Sequence, residues 1–197
     1  MKLLQNYYCN EDTLQLSKNL LGKKIVTNIN NKLTSGLIVE TEAYLGIDDQ
    51  ASHAFNEKKT SRTNVMYNEG GVAYVYLCYG IHSLFNIVCN VKNVPHAILI
   101  RSIEPIDGID IMKQRRNIKI NEVNLTNGPG KLSQALGITK QNNNQSLLGN
   151  NIWIENIGND IFDKNILSVP RIGVDYAGKD AQLPYRFYIN NNKWISK

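Results

Sequence analysis

The sequence predicts one α/β domain of the α+β type, a curved and mostly antiparallel β-sheet flanked by helices with one β-hairpin protruding. Three observations lead there. Apolar runs of strand length recur and are joined by short turns such as Asn30-Asn31-Lys32 and Tyr79-Gly80, with no regular crossover helices between them. Helix-like spacing is confined to a few short segments. No repeat or polar linker divides the 197 residues, so a single domain over 1–197 with a sizeable core is expected.

Taken in order, residues 11–21 space Leu14, Leu16, Leu20 and Leu21 as a helix face, with Asp12 as cap and Gly22 as stop. Residues 23–29 and 33–44 read as strands paired through the Asn30-Asn31-Lys32 turn. Residues 48–55 predict a short helix, followed by a polar, basic loop through Asn64. Gly70-Gly71 opens a strand over 72–78, Tyr79-Gly80 turns it, and residues 81–91 return. An isoleucine-rich strand over 97–103 follows, then helices over 109–116 and 131–136, the second entered through Asn127-Gly128-Pro129-Gly130. Residues 141–145 form an asparagine-rich surface loop, and short strands are expected near 151–155, 166–169 and 186–189.

Composition narrows the class. Hydrophobic content of 42% and charge of 20% are ordinary for a globular protein. No apolar run reaches the roughly 18 residues of a membrane span. The N-terminal Met1-Lys2-Leu3-Leu4-Gln5-Asn6 turns polar too early for a signal peptide. Cys9, Cys78 and Cys89 are odd in number and lack metal-ligand spacing, so reduced thiols and a cytoplasmic location are expected. His53, His82 and His96 show no H-x-x-x-H pairing, so no metal is expected. The net charge of +5, from 22 basic and 17 acidic residues, suits either a merely basic surface or a polyanion partner. Lys58, Lys59 and Arg62 form one basic cluster, and Lys113, Arg115 and Arg116 another. Phosphate-binding and serine-elbow motifs are missing.

The chemistry concentrates in Val39-Glu40-Thr41-Glu42-Ala43-Tyr44-Leu45-Gly46. As a strand, it puts Leu37, Val39, Ala43 and Leu45 on one face, interrupted by Thr41, and Glu40, Glu42 and Tyr44 on the other. Two carboxylates and a tyrosine, with His53 and an aromatic hairpin soon after, look like the wall of a site. Glu42 alone reads more readily as a surface or salt-bridged glutamate. With a cation to keep it ionised, it becomes a candidate general base toward water. Arg101, in the apolar run Ala97-Ile98-Leu99-Ile100-Arg101, is either that cation or half of a buried structural ion pair. Tyr74, Tyr76 and Phe85 default to core packing. Tyr79, beside the turn glycine, is placed to be an exposed ring that wedges between stacked bases. Tyr44, His53 and Tyr76 could grip a planar base. Lys131, after the glycine turn, is a solvated lysine or a phosphate contact.

Together these motifs resemble the alkyladenine (3-methyladenine) DNA glycosylase family of base-excision repair. The resemblance runs through Ile38-Val39-Glu40-Thr41-Glu42-Ala43-Tyr44-Leu45-Gly46, His53, Tyr74-Val75-Tyr76-Leu77-Cys78-Tyr79-Gly80 and Asn86. It continues through Leu99-Ile100-Arg101-Ser102-Ile103-Glu104-Pro105, Gly128-Pro129-Gly130-Lys131-Leu132, Arg171-Ile172-Gly173, Arg186-Phe187-Tyr188 and Trp194. It implies Glu42 as general base, with Arg101 and the backbone carbonyl of Ile172 helping to hold the attacking water. Tyr44, His53, Tyr76, Asn86 and Leu99 match the base pocket, Asn86 at the position that disfavours guanine. Tyr79 matches the side chain that enters the duplex, and Ile81, Arg62 and Lys131 are expected to contact DNA. The implied partner is double-stranded DNA containing damaged purines. The implied product is an abasic site, made by a monomer without cofactor or metal and without strand cleavage. Two extra residues around Asn93-Val94-Pro95 depart from the family pattern.

Other classes remain open at this stage. A non-catalytic DNA-binding module keeps the basic charge and the wedge but leaves Glu42 idle. A hydrolase of free nucleosides uses the carboxylate but has no need of the tip tyrosine. A structural protein gives no reason for a carboxylate–aromatic face.

Overall fold

The computed structural model describes residues 1–9, 12–119 and 123–196. One antiparallel sheet organises them. Strands β1 (Lys24–Ile29) and β2 (Lys32–Tyr44) are joined by Asn30 and Asn31, both left-handed with φ of 56° and 58°. Asparagine tolerates that region, and the pair closes a hairpin whose turn suits the strand twist. Strands β3 (Val72–Cys78), β4 (His82–Cys89) and β5 (His96–Asp107) follow as a meander. Three short strands come late: β6 (Ile152–Glu155), β7 (Ile166–Val169) and β8 (Arg186–Ile189).

The hydrogen-bonded order is β3-β4-β5-β2-β1-β6, with β8 pairing to β2 and β7. Because β5 occupies one edge of β2, β1 and β8 share the other edge, one after the other. The sheet curls around β2 into half a barrel. This is the expected α+β architecture, and β5 extends beyond its expected end at residue 103.

Helix α1 (Gln5–Tyr8) is four residues long and has no capping side chain, so little in the sequence announces it. Asp12 caps α2 (Thr13–Asn19) by accepting from the Gln15 N–H, as expected. The expected helical position Glu11 lies outside the described residues. Helix α3 (Ile109–Arg116) matches its expectation, and α4 (Pro129–Leu136) begins two residues early. Proline suits a first turn, where its missing N–H has no helical partner to lose. Residues 48–55 are not the expected helix. Single 3-10 turns, Gly46–Asp48 and Phe55–Glu57, flank a run of turns. Asp49 is the reason: its carboxylate accepts from the Leu45 and Ala51 N–H groups and pairs with Arg171, which holds the backbone in turns.

The main core fills one face of the sheet, where Ile38, Val39, Phe85, Ile98 and Ile100 pack with Leu16 and Leu132 from the helices. Each such fully buried side chain stabilises the fold by about 1.5–3 kcal/mol. Thr41 falls on this face because its hydroxyl bonds Ser17 of α2, through the Ser17 hydroxyl and carbonyl. Strict alternation along β2 fails at one place. Register shifts flank Glu40, so Ile38 and Val39 both enter the core while Arg101 on β5 has no ladder partner. Such bulges re-aim side chains. Here Arg101 and its neighbour Ser102 both reach Glu40 on the opposite face.

That opposite face carries two smaller apolar clusters. One gathers Tyr74, Val65, Met66, Val88 and Ala97, and the other packs Ala51, Val174, Ala177 and Ala181 against Tyr44.

Candidate active site

Strand register assembles the site. Tyr74 pairs with Asn86, Asn86 with Leu99, and Leu99 with Glu42, so four adjacent strands each place one residue in a single row. Two residues further along, Tyr76, Arg101 and Tyr44 fall on the same face. A pocket of about 280 Å³ opens there, lined by Tyr44, His53, Tyr76, Asn86, Leu99 and Arg101 together with Ile172 and Tyr176.

Glu42 is fully buried behind three residues that line this pocket, Tyr44, Arg101 and Ile172. Its Oε1 accepts from the Ile172 N–H at 2.8 Å and lies 3.1 Å from Arg101 Nη1. Its Oε2 accepts from the Tyr44 hydroxyl at 2.8 Å. Burial pushes that hydroxyl well above its ordinary pKa and Glu42 adds to the shift, so Tyr44 remains a donor. Burial alone favours a neutral Arg101, but Glu42 and Glu40 outweigh it and hold the guanidinium charged. The contact from residue 172 to Glu42 is thus made by its amide, whereas the expectation concerned its carbonyl.

Sequence reasoning gave no role to two groups that support the site. Glu40, also fully buried, pairs with Arg101 at 3.2 Å and Arg186 at 2.6 Å. Burial opposes its ionisation, but Arg101, the Ser196 amide and Arg186 together hold its carboxyl below the ordinary range. The strand alternation already put Glu40 beside Glu42, and that was the available signal. Arg171 is the second group. It pairs with Asp49, donates to the Ala43 carbonyl and lies 4.9 Å from the Tyr44 ring centroid. It therefore fixes the back of Tyr44 and the chain leading into Ile172.

The aromatic wall is held from behind. His53 Nδ1 and the Tyr74 hydroxyl are 2.8 Å apart, and the His53 ring stands edge-on to Tyr76 at 4.6 Å. Burial, then Arg62 and Lys58, push the imidazole down to about 4, so it is neutral near pH 7. Asn86 is buried and donates through Nδ2 to the Tyr74 carbonyl at 3.1 Å.

Tyr79 and Ile81 cap the β3–β4 hairpin. Tyr79 is 91% exposed and Ile81 73%, which excludes core packing for either. Tyr79 has φ of 52° and Gly80 of 74°, a tight turn that thrusts the ring outward. Two expected DNA contacts stand outside the pocket. Arg62 is exposed, 5.8 Å from the Tyr76 ring centroid. Lys131 lines a neighbouring groove of about 430 Å³ with Arg116, His82, Tyr79 and Arg101, its Nζ donating to Asn127 at 2.9 Å. Among the described residues, no group of three or more His, Cys, Asp or Glu is placed to hold a metal. None of their helices is long and apolar enough to cross a membrane.

The sequence pattern of the methylpurine-DNA glycosylase family matches residues 7–193. Three relatives share the name "Putative 3-methyladenine DNA glycosylase". The Chlamydia felis protein is 49% identical over 192 residues, 97% of each chain. That of Clostridium acetobutylicum is 42% identical over 203 residues, covering 100% of this chain and 98% of its own. That of Alkaliphilus oremlandii is 44% identical over 204 residues and 100% of both chains.

Proposed function

The chain belongs to the methylpurine-DNA glycosylase family, and we propose that it is a repair glycosylase that hydrolyses the N-glycosidic bond of an alkylated or deaminated purine flipped out of duplex DNA. The observation that carries this reading is Glu42 itself. A buried carboxylate is fixed by the Ile172 amide, Arg101 and the Tyr44 hydroxyl, and these three residues line a pocket walled by aromatic rings.

A base inside the helix cannot be reached, and extruding it costs a few kcal/mol. Tyr79 fills the gap left in the stack, and Tyr44, Tyr76 and His53 receive the base, at about 1–3 kcal/mol per stacked face. His53 is neutral and so does not repel a cationic base. Arg62, Lys131 and Arg116 surround the site with charge for the phosphates.

In the chemical step the C1′–N bond breaks and its electron pair leaves with the base. Water adds to C1′ of the oxocarbenium-like sugar and passes a proton to Glu42, whose negative charge also stabilises the sugar cation. A carboxylate offers about four acceptor positions, and Ile172, Tyr44 and Arg101 occupy three on Glu42, leaving one for the attacking water. Arg101 places its positive charge 3.1 Å from the carboxylate. An alkylated purine such as 3-methyladenine or 7-methylguanine leaves readily because it is cationic, whereas hypoxanthine needs protonation as well. Among the described residues no lysine lines the pocket, so a Schiff base is not expected and the product is an intact strand with an abasic site.

The test uses duplex oligonucleotides carrying one alkylated purine or one hypoxanthine, with free nucleosides beside them. Free base should appear from the duplex but not from the nucleoside, with strand scission only after hot alkali. Intact duplex binding without release from any lesion would overturn the reading in favour of a non-catalytic binder.

A further inference from the structure

Arg101 serves two carboxylates, and a serine from the far end of the chain sits between them. Its Nε donates to Glu40 at 3.2 Å and to Ser196 Oγ at 3.3 Å, and its Nη2 donates to the same Oγ at 3.1 Å. Only Nη1 faces Glu42. Ser196 is gripped in turn by Glu40, which accepts from its N–H at 2.7 Å and its hydroxyl at 2.8 Å. The single hydroxyl proton goes to Glu40, and both guanidinium nitrogens approach the oxygen. Glu40 also accepts from Ser102 at 2.9 Å and Arg186 at 2.6 Å. Glu40 is fully buried, and Ser196 and Arg101 are each 6% exposed, so water competes little for these bonds.

A guanidinium is a rigid planar fork, so fixing two of its nitrogens sets the direction of the third. We propose that Ser196, held by Glu40, is a positioning residue for base release, fixing Nε and Nη2 of Arg101 so that Nη1 stays on Glu42. The proposal rests on the reading of Glu42 as general base. Without the hydroxyl, Arg101 is free to rotate onto Glu40, and Glu42 loses its cation just where the reaction needs the carboxylate charged. The segment that carries Ser196 is anchored separately. Trp194 is buried in the main core, and the Asn192 side chain accepts from the Trp194 N–H at 2.8 Å and donates to Glu104 at 3.1 Å. Loss of one hydroxyl therefore leaves the segment seated.

The experiment measures single-turnover base release, duplex Kd and thermal midpoint for wild type, Ser196→Ala and Ser196→Thr. Ser196→Ala should release base about 10- to 100-fold more slowly, with Kd changed less than about twofold, because a charge-assisted hydrogen bond is lost at the chemical step alone. Ser196→Thr keeps the hydroxyl and should recover most of the rate. Wild-type rates in Ser196→Ala overturn the proposal. So does a parallel loss of rate, affinity and thermal midpoint, or a folded Ser196→Thr as slow as the alanine variant. A wild type that releases no base overturns the reading of Glu42 instead.

Discussion

The backbone N–H of Ile172 donates to Glu42 Oε1 at 2.8 Å, joining positions 130 residues apart. A main-chain donor has no rotamer to lose, so it holds the carboxylate at little entropic cost. Its own place is set by Arg171, pinned to Asp49 on one side, and by Gly173, whose φ of 76° turns the chain away on the other.

Removing that donor tests its part in holding the general base. Ile172→Pro lacks the N–H, and about 1.5–3 kcal/mol of charged hydrogen bonding should disappear. Base release should slow by at least about tenfold. Ile172→Val keeps the N–H and should stay near the wild-type rate. Equal rates in the two variants, with both folded, would remove the amide from the account.

The hairpin tip sets function against stability. Tyr79 sits at φ of 52°, a conformation costing an ordinary residue about 1–2 kcal/mol. Tyr79→Gly should leave the thermal midpoint equal or higher. The same change should slow release from a fully paired duplex far more than from a lesion in an unpaired bubble, where nothing needs to be wedged open. A similar slowing on both substrates would argue against the wedge.

His53 carries a pH signature. Its folded pKa of about 4 lies below the ordinary 6.5, so the unfolded chain takes up a proton first as pH falls. Stability is therefore lost between those values, by up to about 1.4 kcal/mol per pH unit from this group. An NMR titration should show the ring neutral at pH 6 and protonating near 4. A midpoint above 6 would mean that the ring is not held as described.

Glu40 acts with the same sign as His53, both losing stability as pH falls. Its folded pKa is depressed, so its stabilisation is present above the ordinary 4.5 and is lost as pH falls through the folded value. Glu40→Gln leaves Arg101 and Arg186 without their shared carboxylate and should cost about 3–5 kcal/mol at neutral pH. The gap to wild type should close as the pH drops below 4.5. A gap independent of pH would point to packing rather than charge.

Much of this was legible in local pattern. The Asn30-Asn31 hairpin, the Asp12 cap and the aromatic strand ending at Tyr79-Gly80 each declare themselves within a few residues. Period-two alternation was enough to put Glu42 and Tyr44 on one face. What local pattern does not encode is register. The Tyr74–Asn86–Leu99–Glu42 row depends on how four strands align, and the bulge that frees Arg101 depends on a one-residue mismatch between β2 and β5. Contacts spanning more than 100 residues, such as Arg171 with Asp49 or Ser196 with Glu40, leave no spacing signal at all. Asp49 misled the reading of residues 48–55 for the same reason, since its partner lies far along the chain.

The most direct measurement is single-turnover release of base from a lesion-containing duplex by Glu42→Gln beside wild type, with duplex affinity measured on both. Glutamine keeps the size and can still accept from Ile172, but it cannot take a proton from water. Wild type should release base, and the variant should lose at least about a thousandfold with unchanged binding, because both the base and the charge that stabilises the sugar cation are gone. Release by Glu42→Gln within about tenfold of wild type would contradict the assignment of Glu42 as the group that activates water.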